Sequence, residues 1–188
     1  KGQGKKLLIL DLDDTLWGGI VGETGWKNLR IGGHDHIGEA FRDFQTQIKS
    51  LKNQGIILAL ASKNDEGAAI EAINSHPEMV LSMDDFVTHR INWEDKAKNI
   101  IEIVKELNLG FQSVVFLDES PFERARIREM LPEILVPELP KDPADYNTFL
   151  SRLRCFDKIH LTKEDKVRDQ LYKVEFKRTK LRNQFKSL

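Results

Sequence analysis

Apolar and polar positions follow two rhythms along this chain. Short apolar runs recur, each bounded by charge or turn residues. Between them lie stretches whose apolar positions fall three and four apart. The runs "KLLILDL" (Lys6–Leu12), "IILALAS" (Ile56–Ser62) and "SVVFLD" (Ser113–Asp118) predict buried strands, and "ILVPELP" (Ile134–Pro140) predicts a shorter one. Ile37, Phe41, Phe44, Ile48 and Leu51 share one face of a predicted helix that stops at Gly55. Further helices are predicted over "DEGAAIEAINSHP", "WEDKAKNIIEIVKELNLG", "PFERARIREMLP" and "PADYNTFLSRLR". Strands that are apolar throughout and alternate with helices predict a parallel sheet covered on both faces. The fold class is therefore α/β, a doubly wound three-layer sandwich. The glycine-rich segment between Trp17 and the first long helix, "GGIVGETGWKNLRIGGHD", carries two apolar-polar stretches and predicts a β-hairpin flap. No long insertion follows Ser62, so no cap domain is expected.

In such sheets ligands bind beyond the carboxyl ends of the strands, at the point where strand order reverses. Three predicted strands end in polar groups of one kind: Asp11-Leu12-Asp13-Asp14-Thr15, Ser62-Lys63-Asn64-Asp65 and Asp118-Glu119-Ser120. Any one of these fits a helix N-cap. Caps, however, need no paired carboxylates, and three carboxylates at the end of one buried strand repel unless positive charge sits among them. Carboxylates from two strands at one rim make a hard-oxygen site suited to Mg²⁺, and Lys96 is the best-placed lysine to add a second positive charge. Metal, lysine and a serine hydroxyl together point to phosphoryl chemistry. An aspartate neutralised by them can attack phosphorus, and a second carboxylate two residues on can move the proton.

Composition narrows the class. The 188 residues are 40% apolar with a formal net charge of -1, enough for one domain with a real core and too balanced for a protein held to nucleic acid by bulk charge. Cys155 is the sole cysteine, so no internal disulfide forms, in keeping with a reducing, cytoplasmic setting. No apolar run is long enough to span a bilayer, and the polar start shows no signal peptide. A chain that begins at Lys1 rather than Met reads as one domain excised from a longer polypeptide.

"DLDDT" (Asp11–Thr15) resembles the first motif of the haloacid dehalogenase (HAD) superfamily of phosphotransferases. Ser62, Lys96 and Asp118-Glu119 fall where its other motifs stand. The segments "LDLDDTLWGGIVGETGW", "ASKNDEGAA", "INWEDKAKNI", "VVFLDESPFERARIREMLPEILVPELPKDPADY" and "LTKED" further resemble the FkbH-like branch, over roughly residues 5–172. The resemblance implies a HAD-like Rossmannoid domain over 1–172, followed by a basic helical tail, 173–188, leading to a following domain. It implies Asp11, Asp13 and Lys96 as catalytic: Asp11 as nucleophile, Asp13 as general acid/base, Lys96 as charge stabiliser. Mg²⁺ would be held by Asp11, Asp118 and the main-chain carbonyl of Asp13. Thr15, Ser62, Lys63 and Asn64 form the substrate-binding set, with Ser62 on a phosphoryl oxygen. Glu119 stands where relatives carry aspartate, beside the metal's ligands.

The FkbH-like resemblance also implies the reaction. A glyceryl group passes from 1,3-bisphosphoglycerate to the phosphopantetheine thiol of an acyl carrier protein, with loss of phosphate, within a polyketide synthase. Some relatives carry a cysteine between the two motif aspartates; here that position is Leu12. Acyl transfer would then run by direct attack of the carrier thiol. Two rival readings stay open: a phosphatase acting on a small phosphate ester, and a degenerate domain used for protein contacts. The tail's basic face with Val174, Leu181 and Phe185 fits either a solvated linker helix or a docking surface for an acidic partner.

Overall fold

The computed structural model describes residues 4–156 and 163–186. Four strands, β1 (Leu7–Leu10), β2 (Ile57–Lys63), β3 (Phe86–Asn92) and β4 (Val114–Leu117), form one parallel sheet in the order β3-β2-β1-β4. Chain order runs outward from β1 to β2 to β3, then returns to the other side of β1 for β4. The reversal lies between β1 and β4.

Successive residues of a strand point to opposite faces, and β1 shows both. Leu8 and Leu10 join Phe41, Phe44, Ile48, Ala69, Tyr146 and Leu150 in one core. Leu7 and Ile9 join Ile100, Ile103, Val104 and Ile127 in the other. Thus α2 (His36–Asn53), α3 (Glu66–Ser75) and α6 (Tyr146–Arg152) cover one face, and α4 (Lys96–Glu106) and α5 (Pro121–Met130) the other. The helix starts follow from capping: the side chains of Asp35, Asp65, Asp95 and Ser120 accept N–H groups of the first turns.

Two local predictions give way to different structure, and one strand appears that was not predicted. The expected hairpin after Trp17 is paired only at its base, where Gly18 and Arg30 exchange main-chain hydrogen bonds of 3.0 and 2.9 Å. Within it the chain turns helically, as α1 (Val21–Thr24) and a 3-10 turn (Trp26–Asn28). The loop is too long for a tight two-residue turn, so local bonds such as Thr24 N–H to Ile20 C=O replace a ladder. The expected strand over 134–140 is a single parallel bridge, Leu135 to Val115. Its next bond would need a donor at Pro137, which has none. Conversely, β3 has no counterpart among the predicted strands. It lies at the sheet edge, and Thr88 and Arg90 in its middle bond to Glu102 and Glu106 of α4 rather than extend an apolar run.

The C-terminal helix α7 (Lys163–Lys186) runs through the expected domain boundary at residue 172. Its residues Lys173, Phe176, Lys177 and Lys180 face the edge strand β3 across a groove of about 420 Å³ floored by Met83, Phe86 and Val87. Val174 and Leu181 are exposed, whereas the side chain of Phe185, like residues 157–162, lies outside the described ones. No helix among the described residues is long and apolar enough to cross a membrane.

One buried polar side chain ties the first strand's exit loop to the segment before β3. Gln45 of α2 is fully buried. It donates to the Leu16 carbonyl at 2.7 Å and accepts the N–H groups of Val80 and Leu81 at 3.0 and 3.2 Å. Gln45→Ala would strand all three main-chain groups, and urea unfolding should show a loss of about 3 kcal/mol.

Candidate active site

The carboxyl ends of the strands bring the predicted residues together at the β1/β4 reversal. Asp11 directly follows β1, and its N–H is fixed by the Leu117 carbonyl of β4 at 3.1 Å. Asp118 follows β4 and is fully buried. Lys96, the first residue of α4 and 3% exposed, reaches across the reversal. Its Nζ lies 2.5 Å from Asp118 Oδ2 and 3.2 Å from Asp11 Oδ1. The two strands are therefore joined at their ends by one buried cation.

Thr15, fully buried, connects the same pair. Its hydroxyl donates to Asp11 Oδ2 at 3.4 Å and accepts the Glu119 N–H at 3.2 Å. Ser120 N–H donates to Asp118 Oδ1 at 2.9 Å. Behind the loop, the Arg124 guanidinium donates to the carbonyls of Asp118 and Glu119, both at 3.0 Å. On the β1 side, Asp14 adopts φ 58°, a conformation that non-glycine residues rarely hold. Two bonds hold it there: Gly19 N–H to its Oδ1 at 2.8 Å, and the Tyr146 hydroxyl to its carbonyl at 3.0 Å.

Asp13 faces another way. Its Oδ1 accepts the Trp17 indole N–H at 2.9 Å and the Val21 N–H at 3.1 Å, and its Oδ2 accepts Asn64 Nδ2 at 2.9 Å. Asn64 is 2% exposed and also lies 3.4 Å from the buried Ser62 hydroxyl. Ser62, Asn64 and Asp13 thus form one cluster beside Asp11. Of the four predicted substrate contacts, Thr15 and Asn64 spend their side-chain polar atoms on the protein. Lys63 pairs with Glu123 of α5 at 2.9 Å.

Electrostatics favour a cation here. Asp11, Asp118 and Glu119 each offer a carboxylate oxygen within 4.8 Å of one another. The sequence sets Glu119 beside the metal's ligands; its carboxylate comes within the same 4.8 Å of Asp11 and Asp118 as they do of each other, while the Asp13 side chain turns toward Trp17. One ammonium faces three carboxylates. Burial, and after it the charge of Asp11, pushes the Asp118 carboxyl up to about 7 against the pull of Lys96. Burial and the charges of Asp11 and Asp14 also raise Glu119. Burial opposes the Lys96 ammonium, but Asp11 and Asp118 outweigh it, so Lys96 stays charged. Oxygen-only donors with unbalanced negative charge fit Mg²⁺, a small hard ion.

Three residues here are absent from the sequence-predicted set. Trp17 is an Asp13 partner with no exposed surface; its position six residues after Asp11 carries no chemical signal. Arg124 and Tyr146 act on main-chain carbonyls, which no residue pattern announces. The other two tryptophans lie elsewhere: Trp26 packs edge-on against His76 at 6.2 Å, and Trp93 is 73% exposed on the loop before Lys96. Cys155 lies at the other end of the sheet, where its carbonyl accepts the Lys5 N–H ahead of β1.

No family model matches the chain, and no curated protein matches it. Crystal structures do. The N-terminal part of the protein BF1531 from Bacteroides fragilis, containing a phosphatase domain complexed with Mg, is 52% identical with a TM-score of 0.82. The match covers 85% of this chain and 43% of that one, so this chain spans less than half of that relative. A HAD family enzyme from Bacteroides thetaiotaomicron, a magnesium complex, superposes with a TM-score of 0.53 at 12% identity, over 80% of this chain and 100% of that one. An aspartate-to-alanine mutant of the same enzyme, with magnesium and inorganic phosphate, gives 0.53 at 14%, over 78% and 99%. The fold is that of HAD-family phosphatases.

The raised Asp118 carboxyl has a thermodynamic signature. Its ordinary value is 3.8, so the metal-free fold holds this proton more tightly than the unfolded chain does. That contribution is present at low pH and is lost as pH rises from about 4 to about 7. A cation needs the carboxylate, so its affinity grows through the same window, by at most about tenfold per pH unit. Mg²⁺ should raise the melting temperature more at pH 8 than at pH 5.5, and thermal melts at both pH values check this.

Proposed function

We propose that this domain cleaves phosphate from an organic phosphate through Asp11, and that its substrate is a three-carbon acyl phosphate destined for an acyl carrier protein. One observation carries the first part: a buried lysine joins Asp11 and Asp118 at the strand reversal while the Asp13–Asn64–Ser62 cluster stands beside them. A module used only for protein contacts has no need of a buried cation between two carboxylates.

Asp11 supplies the oxygen that attacks phosphorus. The P–O bond to the leaving alcohol breaks, and its electron pair stays on that oxygen, which takes a proton from Asp13. Water, deprotonated by Asp13, then splits the aspartyl phosphate. Lys96 neutralises the charge that gathers between Asp11 and the phosphoryl oxygens, and the Ser62 hydroxyl donates to one of them. Bound Mg²⁺, held by Asp11, Asp118, Glu119 and the Asp13 carbonyl, would polarise the phosphoryl group.

For the second part, the proposed donor is 1,3-bisphosphoglycerate. The phosphopantetheine thiol of the carrier attacks the acyl carbonyl, the C–S bond forms, and the C–O bond to phosphate breaks. The remaining phosphate ester is then cleaved through Asp11. Cys155 lies at the far end of the sheet and Leu12 is buried, so the incoming thiol needs no thiol of the domain. The same placement favours the rival, a plain phosphatase acting on a small ester, because nothing at the rim is dedicated to acyl transfer.

Intact-mass analysis separates the two readings. A phosphopantetheinylated carrier protein, Mg²⁺ and 1,3-bisphosphoglycerate generated in place should yield a glyceryl adduct with the native chain. Asp11→Asn should yield the phosphoglyceryl adduct, because only the later ester cleavage uses Asp11. Phosphate release without any adduct would assign the chain to the plain phosphatase.

A further inference from the structure

Trp17 has no exposed surface, and a buried indole N–H is costly unless it finds an acceptor. The acceptor it finds is Asp13 Oδ1, at 2.9 Å. The second donor to the same oxygen is the N–H of Val21, at 3.1 Å. Val21 opens α1, so its N–H has no partner within that helix. Both donors belong to the segment that leaves β1 and forms the loop closed by the Gly18–Arg30 bridge.

A carboxylate presents about four lone-pair sites, two on each oxygen. Trp17 and Val21 fill both sites on Oδ1. Asn64 fills one on Oδ2. A single site remains for a proton, the second lone pair of Oδ2. We propose that Trp17 is a positioning residue that, with Val21, confines the transferable proton of Asp13 to Oδ2, so that the folded 18–30 loop sets where the leaving group is protonated. This rests on the reading of Asp13 as the proton donor. In the step concerned, the Asp11 oxygen bonds to phosphorus, the ester P–O bond breaks, and the leaving oxygen takes the Oδ2 proton as the alcohol departs.

Packing alone would make a different demand. If Trp17 only fills the core, loss of its N–H would slow all substrates alike. If it positions Asp13, the loss would grow with the leaving group's need for a proton. An alkoxide leaves poorly without one, while a nitrophenolate leaves readily. The ratio kcat/KM isolates this step, because it stops at formation of the aspartyl phosphate.

Trp17→Phe keeps the aromatic bulk and removes the N–H. Val21→Pro removes the other donor at a helix's first position, where proline is tolerated, after a residue already extended at φ -111° and ψ 109°. With Mg²⁺ present, each variant should lose tenfold or more in kcat/KM on glycerol phosphate and less than threefold on p-nitrophenyl phosphate. Equal losses on both esters, or no loss on either, would overturn the proposal, and Val21→Pro decides it if Trp17→Phe does not fold. Turnover of p-nitrophenyl phosphate by the native chain but not by Asp11→Asn tests the phosphatase reading on its own. Free of turnover, the Trp17 indole N–H resonance should shift more than those of Trp26 and Trp93 in Asp13→Asn.

Discussion

The site depends on one buried ammonium held between two carboxylates. Lys96 reaches from the start of one helix to the ends of two neighbouring strands, and no other described lysine is as deeply enclosed in contact with acids. Removing one partner from such a group leaves an uncompensated charge in a poorly solvated place, which is why buried pairs tolerate single losses badly. The arrangement also explains the depth of the site. Asp118 has no exposed surface, yet it remains usable because its counter-charge is built in and its other oxygen is bound by the main chain of Ser120.

Around that pair the protein works chiefly through main-chain groups. Arg124 grips two carbonyls of the β4 exit, Tyr146 grips one of the β1 exit, and Gln45 grips a second there, Leu16, and ties it to the segment before β3. These side chains come from α5, α6 and α2, so all the layers of the sandwich converge on the loops that carry chemistry. Loops fixed at several points hold their functional groups in place without rearrangement at the moment of reaction.

Much of this was legible in the sequence, for identifiable reasons. The central strands β1, β2 and β4 are buried on both faces, so their residues are apolar without interruption and declare themselves. Asp11, Ser62, Lys96 and Asp118 stand at strand ends or at the first turn of a helix, where a charged residue beside an apolar run is conspicuous. An edge strand declares itself less: β3 carries Thr88, His89 and Arg90 in its middle because one flank meets charged side chains of α4. The helical turns between Gly18 and Arg30 were hidden because a glycine-rich stretch fits a hairpin equally well. Only the length of the loop and the commitment of the Val21 N–H to Asp13 separate the two. How close the Glu119 carboxylate comes to those of Asp11 and Asp118 was not legible, since side-chain reach is settled by the backbone path around Asp118.

The two flanks of the sheet carry a consequence for how the domain meets other chains. An open strand edge offers unpaired N–H and C=O groups to any extended peptide, and such templates seed aggregation. Beyond β4, the single bridge at Leu135 is followed by Pro137, which ends the ladder. Along β3, the α7 helix lies across Phe86, Val87 and His89. Both margins are thereby closed to strand addition, one by a missing donor and one by a covering helix. The domain can sit among neighbours at high local concentration without its sheet propagating from one molecule into the next.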